Sequence, residues 1–349
     1  MARAYHTGVT TRALALASVV FLAACTNGGG TGKAASGAHQ LRLAMVTDTG
    51  GLGDKSFNDS AYRGLQMAKS KFDAEIAVQE SKSAADYQPN LTVLADGDYD
   101  EIFAIGFLMN NDLTEVAKNY PDKHFAIIDA VNPQPNVASV TFREQDGSFL
   151  AGALAAMVTK TKTIGFLGGI DSPLLRKFEV GYAAGAREID PNVKVVVKYV
   201  GSFEDVASGK ELADVMYGGG ADIVYIAAGK SGLGAIDEMR ARPNAYAIGV
   251  DSNQDALVPG KILTSMVKHV DVAVFKIASE VHAGKYPSGS VQLGLKEDGV
   301  GLTDFAYTKA LIGAAHIARL AALREAIVAG KIVPPSTRDE LAAFTPVKL

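Results

Sequence analysis

The densest set of chemically capable side chains lies in one stretch, Asp48-Thr49-Gly50-Gly51-Leu52-Gly53-Asp54-Lys55-Ser56-Phe57-Asn58-Asp59. A carboxylate (Asp48), an aromatic plane (Phe57) and an amide (Asn58) fall close together there, and glycines allow near approach of the backbone. That set suits a small polar molecule carrying a flat ring. The same residues also suit a tight turn with a capping Ser56 and a buried Phe57. Asp129 and Asp251 resemble Asp48 in placement, each following an apolar run, as do Gly106, Gly168 and Gly229. In open parallel sheets the carboxyl ends of the strands face one crevice, where carboxylates accept hydrogen bonds from hydroxyl or ring N–H groups. Helix N-capping by the aspartates is the alternative.

These residues need strands and helices to hold them, and the pattern supplies both. Short apolar runs at 41–46, 76–79, 102–105, 125–129 and 138–142 read as strands, with helical periodicity at 56–72, 87–94 and 112–119 between them. A helix over 147–158 leads to a second set, with strands at 163–167, 193–199, 222–226 and 245–250 and helices at 176–188, 206–217 and 233–240. This is the rhythm of parallel sheets, whose buried strands are near-continuously apolar. Two such sets predict two doubly wound α/β domains with a cleft between them. The remaining strand at 262–267 and the helix ending at His282 have no third set to join and most simply complete the first domain.

The N-terminus has a different character. Arg3 and Arg12 flank a basic region, and the apolar run 13–24 is too short to span a bilayer. It ends in Leu22-Ala23-Ala24-Cys25, which resembles a bacterial lipoprotein signal, so the lone cysteine of the 349 residues is expected as a lipid attachment site, with a small buried hydrophobe as the alternative. Residues 26–38 are rich in Gly, Ser, Ala and Thr and read as a flexible tether. A net charge of −4 with no basic run argues against a nucleic-acid surface.

Signals of catalysis fail on inspection. Gly229-Lys230-Ser231 lacks the upstream glycine of a phosphate-binding loop, because the strand residues Val224 and Tyr225 stand there. No nucleophile elbow occurs, the six histidines form no His-Glu-x-x-His set, and no carboxylate pair stands out for acid–base work. Neither a cofactor nor a metal is expected.

The opening stretch resembles the signature of the basic membrane protein lipoproteins, substrate-binding components of nucleoside ABC transporters. The likeness continues through Gly106-Phe107, Tyr120-Pro121-Asp122, Phe125–Asp129, Gly165–Gly169, Phe178–Gly185, Gly201–Asp205, Gly249–Asp251 and Ser265–Lys268. The resemblance implies the α/β type I periplasmic-binding-protein fold, with two Rossmann-like lobes joined by a three-strand hinge and the ligand in the cleft. The expected division is a signal peptide at 1–24 and an anchor and tether at 25–38. Lobe 1 is then expected at 39–143 plus 254–285, and lobe 2 at 144–253 plus 286–349.

It also implies a ligand shell. Asp48 and Asn58 match residues that hydrogen-bond the nucleoside, and Phe57 matches one face of an aromatic sandwich around the base. Phe203 matches the other face, with Phe178 a second candidate. Asp129 matches a carboxylate near base or ribose, Asp251 and Lys268 a pair holding the ribose hydroxyls, and Gly229 lines the pocket. Glu204 and Met266 depart from the common pattern without removing a ligand group. The implied protein is a monomer, lipid-anchored through Cys25 and facing the periplasm or the cell exterior. It captures nucleosides, above all purine nucleosides, for the permease subunits of an ABC transporter. The alternatives are a receptor for another flat-ringed metabolite or a sugar, and an exported nucleoside hydrolase, which would need a clustered acid or metal site.

Overall fold

The computed structural model describes residues 39–347. The expected signal peptide (1–24) and the expected anchor and tether (25–38), Cys25 included, lie outside the described residues. In chain order the first elements are β1 (Arg42–Val46), α1 (Phe57–Phe72), β2 (Glu75–Gln79), α2 (Tyr87–Asp96), β3 (Glu101–Ile105), α3 (Asn110–Asn119), β4 (Phe125–Ile128) and β5 (Val137–Phe142). A second run follows with α4 (Glu144–Val158), β6 (Thr163–Gly168), α5 (Pro173–Ile189), β7 (Lys194–Tyr199), α6 (Val206–Gly218), β8 (Ile223–Ala227), α7 (Ser231–Ala241) and β9 (Tyr246–Asp251). The chain closes with β10 (Ile262–Lys268), α8 (Val270–His282), β11 (Gly289–Leu293), β12 (Val300–Leu302), α9 (Lys309–Ile312), α10 (Ala314–Val328) and α11 (Arg338–Ala343).

Two six-stranded sheets form, ordered β11-β5-β4-β3-β1-β2 and β12-β10-β9-β8-β6-β7. Every pairing is parallel except that of β12 with β10. The strands β3, β4 and β8 are buried along their whole length, because helices cover both faces of each sheet. Side chains therefore divide by alternation: in β1, Leu43 and Met45 join one apolar core while Ala44 and Val46 join another on the opposite face. In β8, Tyr225 and Ala227 enter the same core as Leu43, whereas Val224 and Ile226 enter a third. One core thus runs through both lobes, and each lobe has its own core on the far face of its sheet.

Helices α4 and α5 pack almost backbone to backbone. A Cβ on Gly152 would stand 1.9 Å from the Tyr182 carbonyl oxygen, and one on Gly185 would stand 1.8 Å from that of Phe149. Glycine is required at both places by close approach alone.

The chain crosses between the lobes three times: from β5 to α4, from β10 to α8, and from β11 to β12. This corrects the expected division of the C-terminal part. Strand β10 belongs to the second sheet, parallel to β9, whereas α8 packs on α1 of the first lobe. Strand β11 lies in the first sheet beside β5, although 286–349 was expected wholly in lobe 2. Strand β10, apolar and buried, carries no mark of which sheet it joins, and β11 is a short exposed edge with no apolar face to place it. Pairing edge and helix packing decide.

Candidate ligand-binding cleft

The carboxyl ends of both sheets meet at a cleft of about 490 Å³, its mouth included. Asp48, Phe57, Asn58, Asp129, Phe203, Gly229, Asp251 and Lys268 all line it, so the residues singled out in the sequence converge from both lobes. Phe178 lines it as well, together with Asp54, Gly106, Phe107, Leu174 and Leu175.

The first wall is the loop between β1 and α1. Asp48 is buried, and its Oδ1 accepts from the Gly50 amide at 2.9 Å and from Asn58 Nδ2 at 2.8 Å. The same Nδ2 also donates to Asp54 Oδ2 at 3.2 Å. With both amide hydrogens directed at carboxylates, Asn58 presents only its Oδ1 for further bonding, and that oxygen has no partner. The cap of α1 differs from the simple turn reading. Ser56 makes no capping bond; Asp54 does so instead, accepting from the amides of Ser56 (2.9 Å), Asn58 (2.8 Å) and Asp59 (3.1 Å). Burial in this wall pushes the Asp48 carboxyl up to about 7, opposed by the bonds from Asn58 and Gly50.

Asp129 directly follows β4 and Asp251 ends β9, both with positive φ, 73° and 59°. The left-handed region is costly for residues other than glycine, and strain of this kind gathers at functional sites. Here it turns two carboxylates into one cleft. Between them lies Lys268, the last residue of β10, almost fully buried. Its Nζ donates to Asp129 Oδ2 at 2.6 Å and lies 3.9 Å from Asp251 Oδ1. The close partner of Lys268 is thus Asp129, across the lobes, rather than Asp251. Strand β10 ends beside β9 in the second sheet, so its ammonium reaches over to the end of β4. Burial alone would depress the lysine, but Asp129, Asp251 and Glu144 hold its pKa above the ordinary value. Phe57, Phe142 and Phe178 surround the same Nζ with ring centroids at 4.8, 5.4 and 5.5 Å, an arrangement favourable to a cation.

Asp251 is also buried, which raises its carboxyl to about 6 against the opposing pull of Lys268 and the bond from Ser56. Asp129 Oδ1 and Asp251 Oδ1 have no hydrogen-bond partner. Two acceptors therefore stand free beside one ammonium.

The second wall comes from the loop after β7. The Phe203 ring lies against Gly169, whose Cβ, if present, would stand 2.3 Å from two ring carbons. The Phe203 carbonyl accepts from the Ser231 amide at 3.0 Å, fixing the loop to the start of α7. Beyond the cleft, direct bonds join the lobes: Ser56 Oγ to Asp251 Oδ2 (2.8 Å), Ser252 Oγ to the Ser56 carbonyl (2.8 Å) and Gln254 Nε2 to the Lys55 carbonyl (3.1 Å). Arg63 Nη2 adds a bond to Ser252 Oγ at 3.1 Å.

Two contributors escaped sequence reading. Asp54 reads there as one more polar loop residue, and Glu144 reads as an ordinary acidic residue near a helix start. Gly106 carried a usable signal, since it follows a strand as Gly229 does. Among the described residues no group of three or more metal-ligating side chains is gathered, and no helix is long and apolar enough to cross a membrane.

Residues 41–335 match the family model Bmp, described as ABC transporter substrate-binding protein PnrA-like. The chain is 37% identical to the ABC transporter nucleoside-binding protein BmpA of Lactococcus lactis, over 94% of this chain and 98% of that one. It is 34% identical to basic membrane protein A of Borreliella burgdorferi, over 94% and 96% of the two chains. Among solved structures, an ABC transporter solute-binding protein from Aeropyrum pernix superposes with a TM-score of 0.79 at 30% identity, covering 87% of this chain and 96% of that one. The two-lobed architecture is the type I periplasmic-binding-protein fold.

Proposed function

We propose that this chain, which belongs to the Bmp family of PnrA-like ABC transporter substrate-binding proteins, captures purine nucleosides outside the cytoplasm and delivers them to its permease. One observation carries the reading. Unpartnered acceptors on Asn58, Asp129 and Asp251 and the ammonium of Lys268 border the cleft that Phe57 and Phe203 also line. A purine offers a large π face to two such rings, each stacked pair contributing roughly 1 kcal/mol beyond burial. The ribose cis-diol offers adjacent hydroxyls that Asp129 and Asp251 accept with charge-assisted bonds, while Lys268 donates to a hydroxyl oxygen. Because the Asn58 amide hydrogens are directed at Asp48 and Asp54, the first wall favours a base edge that donates N–H.

Both lobes contribute to this shell, so ligand stabilises the arrangement in which Ser56, Ser252 and Gln254 bond across the cleft. Cys25 is read as the lipidated residue that holds the protein at the membrane as a monomer. A relative in Lactococcus lactis that carries the name nucleoside-binding protein supports the ligand class.

Isothermal titration with guanosine, inosine, adenosine and cytidine tests the proposal. Binding of the purine nucleosides is expected; no heat from any of the four at high micromolar concentration refutes it. Native mass spectrometry of the protein as purified distinguishes a retained nucleoside from a flavin or a sugar. Replacement Cys25→Ser tests the anchor, and is expected to move the protein from the membrane to the soluble fraction.

A further inference from the structure

We propose that Glu144 is a positioning residue, a buried carboxylate that holds Lys268 and Lys177 in place at the hinge, so that ligand affinity depends on its charge. The proposal rests on the cleft being a nucleoside site. Glu144 opens α4 directly after the first crossing, and its side chain has no exposure. Its Oε2 lies 3.2 Å from Lys177 Nζ, and its Oε1 lies 3.9 Å from Lys268 Nζ. That Oε1 accepts no hydrogen bond. It thus acts on Lys268 through charge, at a distance no ligand needs to occupy.

Each lysine then reaches across the hinge. Lys268 donates to Asp129 Oδ2 at 2.6 Å, and Lys177 donates to the Phe142 carbonyl at 3.4 Å. Asp129 and Phe142 end strands of the first sheet, whereas Lys268 and Glu144 belong to the second lobe and Lys177 to α5. One carboxylate therefore backs two contacts that join the lobes, and one of them is the ammonium at the floor of the cleft.

The groups around Glu144 are few. Lys177 faces it from α5, Lys268 from β10 and Asp129 from the end of β4, with Asp251 beyond Lys268. Tyr225 of β8 is near enough to feel its charge and shares a hydrogen bond with Ser148 of α4. Arg143 turns away to Asp146, at 2.7 Å. Burial pushes the Glu144 carboxyl up to about 7; the two lysines pull it down and Asp129 pushes it up. Near neutrality it exists in both forms. When protonated it no longer balances Lys268, and the ammonium is left to the two cleft aspartates alone.

The replacement Glu144→Gln imitates the protonated form at every pH. Guanosine affinity of native protein and E144Q is measured by titration calorimetry from about pH 5.5 to about pH 8.5. Comparison of the two isolates Glu144 from Asp48 and Asp251, which titrate in the same range. The expected ratio of affinities is near one at the acid end and about tenfold in favour of native protein at the alkaline end. A second variant, Lys177→Met, removes one cation that lowers the Glu144 pKa and is expected to move the midpoint of the native rise upward. A ratio constant with pH overturns the proposal, as does an unmoved midpoint in K177M.

Melting of the ligand-free protein gives a separate readout. A carboxyl raised on folding contributes stability that is lost as pH rises through its folded pKa, so E144Q should flatten that decline. Parallel melting profiles overturn the proposal whatever the ligand. Absence of nucleoside binding by native protein, with a flattened E144Q profile, overturns only the reading of the cleft.

Discussion

Replacement of Gly169 by alanine tests the second wall of the cleft without touching a ligand group. The new Cβ would stand 2.3 Å from Cδ1 and Cε1 of Phe203 and 3.2 Å from Cζ. Carbon atoms in contact prefer about 3.5–4.0 Å, so the ring must move by roughly 1 Å or more. Its backbone cannot follow freely, because the Phe203 carbonyl is tied to the Ser231 amide at 3.0 Å. Displacement by about 1 Å forfeits up to roughly half the attraction of each contact with a stacked base. Together with a stacking contribution of about 1 kcal/mol, the expected loss is about 1–2 kcal/mol, or roughly five- to thirtyfold in affinity. Calorimetry with guanosine reads this, with thermal melting as the check on folding. In a Phe203→Ala background the added methyl has no ring to strike, so G169A should then cost little; this coupling is the decisive measurement. A G169A protein that binds within twofold of native would refute the placement of Phe203 against the base. So would a G169A penalty of equal size with and without Phe203.

Other perturbations follow from the same geometry. Burial raises Asp48 to about 7 and Asp251 to about 6, so their favourable contribution is present in acid and is lost as pH rises through those values. The ligand-free melting temperature is therefore expected to fall between about pH 4 and pH 7, and Asp48→Asn should flatten the fall; an unchanged slope in D48N would count against it. Ser252→Ala removes the bond to the Ser56 carbonyl and the partner of Arg63, both between lobes. Each is worth roughly 0.5–1.5 kcal/mol, so the two together are worth about 1–3 kcal/mol and affinity should drop at least about fivefold, read by titration calorimetry with guanosine. Arg338→Ala cuts the paired bonds to Glu179 at 2.9 and 2.6 Å that dock α11 on α5. The arginine is nearly half exposed, so about 1 kcal/mol of stability in urea unfolding is expected, with guanosine affinity unchanged.

Much of this was legible along the chain. Ten strands and the helices between them follow from local periodicity, and the observed bounds differ by a few residues at the ends. The carboxylates that terminate β1, β4 and β9 could be named because parallel sheets gather the ends of their strands. Phe57, Asn58 and Asp48 are close in sequence, so their association is a local matter of one loop and one helix turn. The helices within 309–328 and at 338–343 and the short strands β11 and β12 do not stand out in the sequence pattern. In particular, β11 is an exposed edge whose pairing with β5 spans about 150 residues of chain.

The partners of Lys268 lay beyond local pattern altogether. Asp129 is 139 residues away, and nothing near either residue distinguishes it from Asp251 as the closer carboxylate. Glu144 is the sharper case, since an acid in a helix first turn is common and its burial between two lysines depends on α5 and β10 packing over it. Local pattern settles where strands and helices run and which chemistry waits at their ends. The assignment of β10 to the second sheet, the pairing inside the hinge and the cost of each buried charge are settled by packing, because burial and long-range distance are properties of the folded chain alone.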